Sequence, residues 1–533
     1  MIQPILLSLA AALPLAAMAG TARNPKPNIV IILADDLGYG DAHCYNPERG
    51  KIATPHLDRL AAQGMRFTDG HSSSGVCSPS RYTLLTGRYH WRTGTASIVT
   101  TYGPPMIAPD RLTLASLLRG QGYRTAAIGK WHLGWNWPIP ADKAALFVGT
   151  PSQEEIEPSD TQKAAWREVF TQSIPGGPTS RGFDSYFGTD VPNWPPYCFI
   201  ENNRTVGVPS SFLPPRLLTN HQASKQGPAL PDWKLEAILP ALGDRACAFI
   251  TSAATKGAPF FLYLPLTSPH TPLAVNAQWA GRSGLNTYAD FVMETDALVG
   301  RVLEALDKNG ASANTLLVFT SDNGCASWGA ADLEKRGHYP SGPLRGYKAD
   351  VWEGGHRVPF MVRWPGTVAP GSLCDQLVQQ ADLLATIADV LGVSLPENAG
   401  EDSFSFLPLL KGGSKATRRH AVNQSTRGLL ALRDGPWKLI FGAGSGSPSP
   451  GGDNYPGQLY NLAEDIGETN NLFPAKPEVV ARLSRLMKKV VEDGRSTPGA
   501  AQANDKPLKW KISFEAARKN TPRRAAKKQA AGK

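Results

Sequence analysis

The sequence predicts an α/β fold: a large, mostly parallel sheet sandwiched by helices, then a smaller C-terminal α+β domain of short antiparallel strands and a helix. Three observations carry this. Apolar runs without polar alternation recur in "NIVIILADDLGYG", "PFFLYLPLTSPHTPL" and "TLLVFTSDNG". Strands buried on both faces read this way, and helical patterns stand between these runs. The 533 residues exceed what one core organises, and the chain changes character near residue 400.

The chain opens with "MIQPILLSLAAALPLAAMAG", apolar and ending in small residues. Ala17-Met18-Ala19 fits a cleavage site before Gly20, although no Lys or Arg precedes the apolar run. Pro4 and Pro14 break the run and argue against a permanent span. Residues 1–19 are therefore read as a signal peptide, and the protein as exported, periplasmic or secreted, with no stable membrane span.

Residues 24–400 form the predicted catalytic domain. Its first strand, 29–33, runs into Asp35 and Asp36. Next comes "GVCSPSRYTLLTGRYHWRTG". Ser78 suits an N-cap, Pro79 a first helical position and Gly87 a stop, which predicts a short helix over 79–86. Cys77 then sits at the helix mouth, where unpaired N–H groups favour a thiolate. A buried structural cysteine is the alternative. Arg81 lies about one turn in, and helical side chains lean back toward the N-terminus.

A helix stopped by Gly120 and Gly122 precedes a strand over 123–128, followed by Lys130 and His132. A strand from about residue 260 ends before His270. An amphipathic helix is predicted over 287–306. The strand over 316–320 runs into Asp322 and Asn323, and Lys348 follows in a loop. In open α/β sheets, groups just beyond the carboxyl ends of strands meet at one rim. Asp35, Asp36, Asp322 and Asn323 would offer oxygen donors to a hard divalent cation there. Taken singly, each acidic pair reads equally as a turn, and each Lys or His as a solvated or loop residue.

Residues 401–500 form the small domain, with strands around "HAVNQSTRGLLALRDGPWKLIFGAG", a loop at "GSGSPSPGGD" and a final helix in "KPEVVARLSRLMKKVVEDG". The net charge of +10 is concentrated in a basic tail within 501–533, which lacks apolar periodicity and is read as disordered. No nucleic-acid recognition motif accompanies it. The six cysteines, Cys44, Cys77, Cys198, Cys247, Cys325 and Cys374, form no CxxC pair and fix no disulfide. Trp135, Trp137, Trp194 and Tyr197 read equally as a sugar-binding cleft or as packing anchors. Asn193 is a rim residue without a role, and His356 a structural loop histidine.

Cys77-Ser78-Pro79-Ser80-Arg81 followed by Leu85-Thr86-Gly87-Arg88 resembles the C-x-P-S-R…L-T-G-R signature of type I, formylglycine-dependent sulfatases of the alkaline phosphatase superfamily. The resemblance runs in order through "PNIVIILADDLGYGD", "GKWHLG", "SPHTPL", "TSDNG" and "GYKADVWEGGHRVPF". It implies that a maturation enzyme oxidises Cys77 to formylglycine, whose hydrate attacks sulfur. It implies that Asp35, Asp36, Asp322, Asn323 and modified residue 77 bind Ca²⁺, in preference to Mg²⁺. Lys130, His270 and Lys348 match positions that contact sulfate or the leaving oxygen, with His270 as general acid. His132 would serve the step that releases sulfate, and Arg81 would hold the finished diol. The implied function is hydrolysis of sulfate monoesters of carbohydrates or aryl alcohols. The alternatives are a phosphate or phosphonate monoester hydrolase of the same superfamily, and a catalytically silent protein that binds sulfated glycans.

Overall fold

The computed structural model describes residues 26–149, 154–218, 222–453, 455–508 and 510. The signal-peptide reading over 1–19 lies outside the described residues.

Strand Asn28–Asp35 is the spine of a ten-stranded sheet. It pairs in parallel with Phe260–Pro269 on one side and with Thr315–Ser321 on the other, so that Ile31 stands between Tyr263 and Val318. Arg124–Lys130 and Ser185–Thr189 extend the parallel core beyond Phe260–Pro269. Antiparallel strands close the opposite flank, where Phe360–Arg363 joins Thr315–Ser321 to Met65–Phe67. The spine shows why its sequence is apolar without alternation. Val30, Ile32 and Ala34 pack with helices Ile238–Ala254 and Thr287–Lys308. Ile29, Ile31 and Leu33 pack with Cys77–Thr86, Leu114–Gly120 and Asp382–Val390 on the other face. Each fully buried aliphatic side chain contributes about 1.5–3 kcal/mol.

The small domain is a four-stranded antiparallel sheet, His420–Gln424, Leu430–Asp434, Trp437–Ile440 and Gln458–Asn461, covered by helix Pro477–Glu492. Leu483, Met487 and Val490 bury that helix against Leu432, Leu439 and Leu459. The same core takes in Tyr89 and Trp91 from the segment after the Cys77–Thr86 helix.

Two boundaries differ from the sequence reading. Phe406, Leu407, Leu409 and Leu410 belong to the core of the large sheet, so the small domain begins after them, not at 401. Nor are residues 501–508 a free tail. Asp505 pairs with Arg88 at 2.8 Å and Asn504 accepts from Arg92 at 2.9 Å. A buried ion pair, Arg418–Asp382, also ties the two domains together, and Arg92–Asp402 braces the large domain, each 2.7 Å. All six cysteines are free. Among the described residues, no helix is long and apolar enough to cross a membrane.

Candidate active site

The predicted rim forms. Asp35 ends its strand, and Asp322 and Asn323 follow the neighbouring strand. Lys130 ends a third strand, and His270 follows a fourth. Parallel pairing places these strand ends side by side, which is how residues 35 and 322 meet. The sheet accommodates Lys130 through Gly129, where a Cβ would sit 1.8 Å from the Pro265 carbonyl oxygen.

Cys77 lies at the start of helix Cys77–Thr86. Val76 is the N-cap, and Ser78 does not cap, because its Oγ accepts from the Val99 N–H at 3.0 Å. Gly87 ends the helix with a left-handed φ of 63°, as its type predicts. The Cys77 Sγ stands 3.6 Å from Asp35 Oδ1 and 3.6 Å from Lys130 Nζ. The expected lowering of the thiol pKa is not observed. Burial, with the Asp322 and Asp35 carboxylates adding to it, pushes the thiol up despite Lys130 and Lys348. As a thiol, residue 77 is a poor nucleophile in this setting.

Arg81 is fully buried and serves the acids, not residue 77 directly. Its Nε and one terminal nitrogen donate to Asp322 Oδ2 at 3.0 and 2.7 Å, and the other donates to the Lys130 carbonyl at 3.0 Å. Lys130 Nζ reaches Asp35 Oδ2 at 2.6 Å, and Lys348 Nζ reaches Asp36 Oδ2 at 2.7 Å. Three cations thus balance three carboxylates. Burial alone would raise the Asp35 pKa, but Lys130, His270, Arg81 and Lys348 together hold it well below the usual value. Burial and the nearby Asp35 charge push Asp322 up to about 6, with Arg81 opposing. Burial works against the Lys348 charge, and Asp36 overcomes it and raises that ammonium.

The donor set fits a hard cation. Asp35, Asp36, Asp322 and Asn323 are buried side by side, with Asp322 Oδ1 accepting from the Asp36 N–H at 3.2 Å, and the buried Asn323 Oδ1 has no partner. Ligand atoms of Asp35, Asp36, Cys77 and His270 lie within 4.8 Å of one another. Asn323 Nδ2 donates to Asp36 Oδ1 at 2.8 Å, which turns the amide oxygen away from that carboxylate. Carboxylate and amide oxygens are the ligands Ca²⁺ prefers.

The two histidines differ in tautomer and outlook. His132 Nε2 donates to the Val99 carbonyl at 3.1 Å, leaving a buried Nδ1 without a partner. Burial, then the Lys130 and Arg81 charges, hold its pKa well below the usual value. His270 Nδ1 donates to the Thr271 carbonyl at 2.5 Å, so Nε2, 3.7 Å from Asp36 Oδ2, faces the site. Burial and the Lys348 charge push it down to about 4. Asp36 and His132, with φ of 65° and 52°, and Ala349 beside Lys348, at 79°, carry left-handed backbone. That conformation costs roughly 1–2 kcal/mol each and concentrates at functional sites.

The aromatic residues separate. Trp135 and Tyr197 are core. Trp137 is partly buried against the same packing. Trp194 reaches the rim, its ring centroid 5.7 Å from that of His132, with Lys225 Nζ 3.7 Å over it. His356 belongs to a buried interdomain network: its Nδ1 is 3.0 Å from His71 Nδ1, and Lys438 pairs with Glu353 at 2.9 Å. Asn193 bonds Ser224 through Nδ2 and keeps an unpartnered buried Oδ1. Sequence reasoning missed Asp190, whose carbonyl accepts the His132 N–H at 3.1 Å and which carries no local signal of that role.

Known proteins resemble this chain along most of its length. A family model described as Sulfatase matches residues 27–393. An N-acetylgalactosamine-6-O-sulfatase of Bacteroides thetaiotaomicron is 35% identical over 491 residues, covering 88% of this chain and 93% of that protein. Human arylsulfatase A is 33% identical over 519 residues, covering 92% of each. A solved structure from work on the metabolism of multiple glycosaminoglycans by Bacteroides thetaiotaomicron superposes with a TM-score of 0.75 at 33% identity, covering 88% of this chain and 99% of that one. With the matched model spanning most of the chain and the rim motifs meeting at one point, this protein belongs to the sulfatase family.

Proposed function

We propose that the protein hydrolyses sulfate monoesters of carbohydrates or aryl alcohols through residue 77, matured from cysteine to formylglycine, with Ca²⁺ in the acidic pocket. The observation that carries this is the placement of Cys77 Sγ 3.6 Å from both Lys130 Nζ and Asp35 Oδ1, in a fully buried acid–base cluster. The formylglycine hydrate supplies two hydroxyls on one carbon, one to attack sulfur and one whose deprotonation lets sulfate leave. Asp35, Asp36, Asp322, Asn323 and residue 77 would hold Ca²⁺, which would add positive charge beside the ester and lower the pKa of an attached hydroxyl.

The remaining roles fall to this chain's own groups. Lys130 and Lys348 offer fixed ammonium charges to the nonbridging sulfate oxygens. Arg81 holds Asp322 in register and so acts as a positioning residue. The free Nδ1 of His132 is the acceptor for the proton whose loss releases sulfate. His270 Nε2, with Lys348 beside it, addresses the departing oxygen; the charge of a bound ester favours its protonated form. The matched name of the Bacteroides relative supports a carbohydrate leaving group. The signal-like residues 1–19 support an exported protein that meets its maturation enzyme on the way.

The test is the mass of the peptide containing residue 77, from a host with the maturation machinery, together with turnover of an aryl sulfate. Formylglycine should be found, and Cys77→Ala should fold and show no turnover. Multiple turnover by Cys77→Ala would sink the mechanism.

A further inference from the structure

We propose that a cavity beside helix Cys77–Thr86, separate from the acidic rim, binds a tetrahedral oxyanion, sulfate or phosphate, with Arg181 and Arg119 as its cations. The cavity encloses about 590 Å³ and shares no lining residue with the one bounded by Asp36, His270 and Lys348. Tyr82 brings the catalytic helix into its wall, about 7.5 Å of helix rise past residue 77. Arg181 is the anomaly on that wall. It is buried, and buried arginines are almost always paired. Arg81, Arg88, Arg92, Arg418 and Arg495 each lie 2.7–3.0 Å from a carboxylate. Arg181 has no ion pair among the described residues. Its Nε donates to the Ile107 carbonyl at 2.8 Å and one terminal nitrogen donates to the Ser180 carbonyl at 2.9 Å, which leaves the other terminal nitrogen without a partner. Burial pulls its pKa down with no carboxylate to oppose it.

The rest of the wall adds donors and a surplus of positive charge. Arg119, from helix Leu114–Gly120, makes no hydrogen bond or ion pair through its guanidinium among the described residues. The buried Tyr82 hydroxyl accepts from Arg88 at 3.4 Å, and the Ser180 hydroxyl accepts from the Gly176 N–H at 3.1 Å. Neither hydroxyl hydrogen has an acceptor among the described residues. Arg88 and Arg111 are balanced by Glu401 and Asp505. Two uncommitted guanidiniums therefore stand against one uncommitted carboxylate, that of the exposed Asp110. Convergent N–H and O–H donors with surplus positive charge suit an ion that only accepts. Guanidinium groups bind such oxyanions through paired, charge-assisted bonds. The ion has two sources, the sulfate released by the proposed hydrolysis and free phosphate.

Calorimetric titration of the mature enzyme with sodium sulfate, and separately with sodium phosphate, at fixed ionic strength counts every anion site. Inhibition of 4-nitrophenyl sulfate hydrolysis by the same ions reads the catalytic cleft alone. One site beyond the inhibitory one should appear. Arg181→Gln and Arg119→Gln should each weaken that site roughly tenfold or more, because each removes a charge-assisted contact, while the inhibition constant keeps its wild-type value. If Arg181→Gln does not fold, the exposed Arg119→Gln decides alone. Tighter binding of sulfate supports the site with the reaction's product as its ligand, and tighter binding of phosphate supports it with the free ion. The proposal is overturned if calorimetry finds no site beyond the inhibitory one, if a folded variant of either arginine keeps wild-type affinity, or if the lost binding is matched by an equal loss of inhibition.

Discussion

Arg81 provides the sharpest test of how the site is built. It makes three charge-assisted bonds in the dry interior, two to Asp322 and one to the Lys130 carbonyl. Arg81→Ala leaves Asp322 without its cation, and breaking a buried pair in this way costs about 3–5 kcal/mol. Arg81→Lys keeps the charge but has one nitrogen where three bonds were made. Hydrogen bonds to charged groups contribute about 1.5–3 kcal/mol each, so the lysine variant should lose about 2–4 kcal/mol. Asp322, already pushed up to about 6 by burial and the Asp35 charge, would rise further without a guanidinium. Because the proposed maturation of Cys77 would involve the stretch that holds Arg81, activity is to be scored per molecule of formylglycine, counted by mass spectrometry. Urea unfolding gives the stability loss, and aryl sulfate hydrolysis gives kcat/KM. On this scale Arg81→Lys should fall about 10²-fold, the usual cost of misplacing a reacting group by about 1 Å. Wild-type stability and wild-type kcat/KM per matured enzyme in Arg81→Lys would refute the positioning role.

His270→Ala should lower kcat/KM for a sugar sulfate by about 10²–10⁴-fold, and much less for an activated aryl sulfate whose phenolate leaves unaided; equal losses on both would remove His270 from the leaving-group side. Asp322→Ala, or exhaustive chelation checked by elemental analysis, should abolish most turnover, and full activity in metal-free enzyme would remove the cation from the mechanism. His90, buried and bonded to Gln424 at 3.0 Å, is pushed down to about 3 by burial. The unfolded chain therefore binds more protons there between pH 6.5 and 3, and stability from this group is lost as pH falls through that window. His90→Gln should melt less acid-sensitively than wild type between pH 7 and 4.5, and parallel pH profiles would exclude the histidine.

The strands and their rim acids were legible in the sequence because both depend on local pattern. A run such as Ile29 to Leu33 must be buried on both faces, and such a strand sends Asp35 and Asp36 past its carboxyl end. The Cys77–Arg88 stretch and the Gly87 stop were equally local, since a left-handed φ selects glycine whatever surrounds it. Tertiary structure alone decided what those residues face. Arg81 leans toward Asp322, 241 positions away, because parallel pairing sets those strand ends side by side. The helix mouth at Cys77 argued for a lowered thiol pKa, but that expectation omitted burial and the Asp322 charge, which reverse the direction. Loop conformation brings Lys348 to Asp36, and no periodicity encodes it. The same holds for the tryptophans: composition is identical for Trp135 in the core and Trp328 at the cleft, and only the packing of distant elements decides which indole meets solvent. Sequence thus determined which groups stand at the rim, because local burial and turn chemistry act over a few residues; tertiary structure decided their partners and charge states, because electrostatics and packing act across the whole fold.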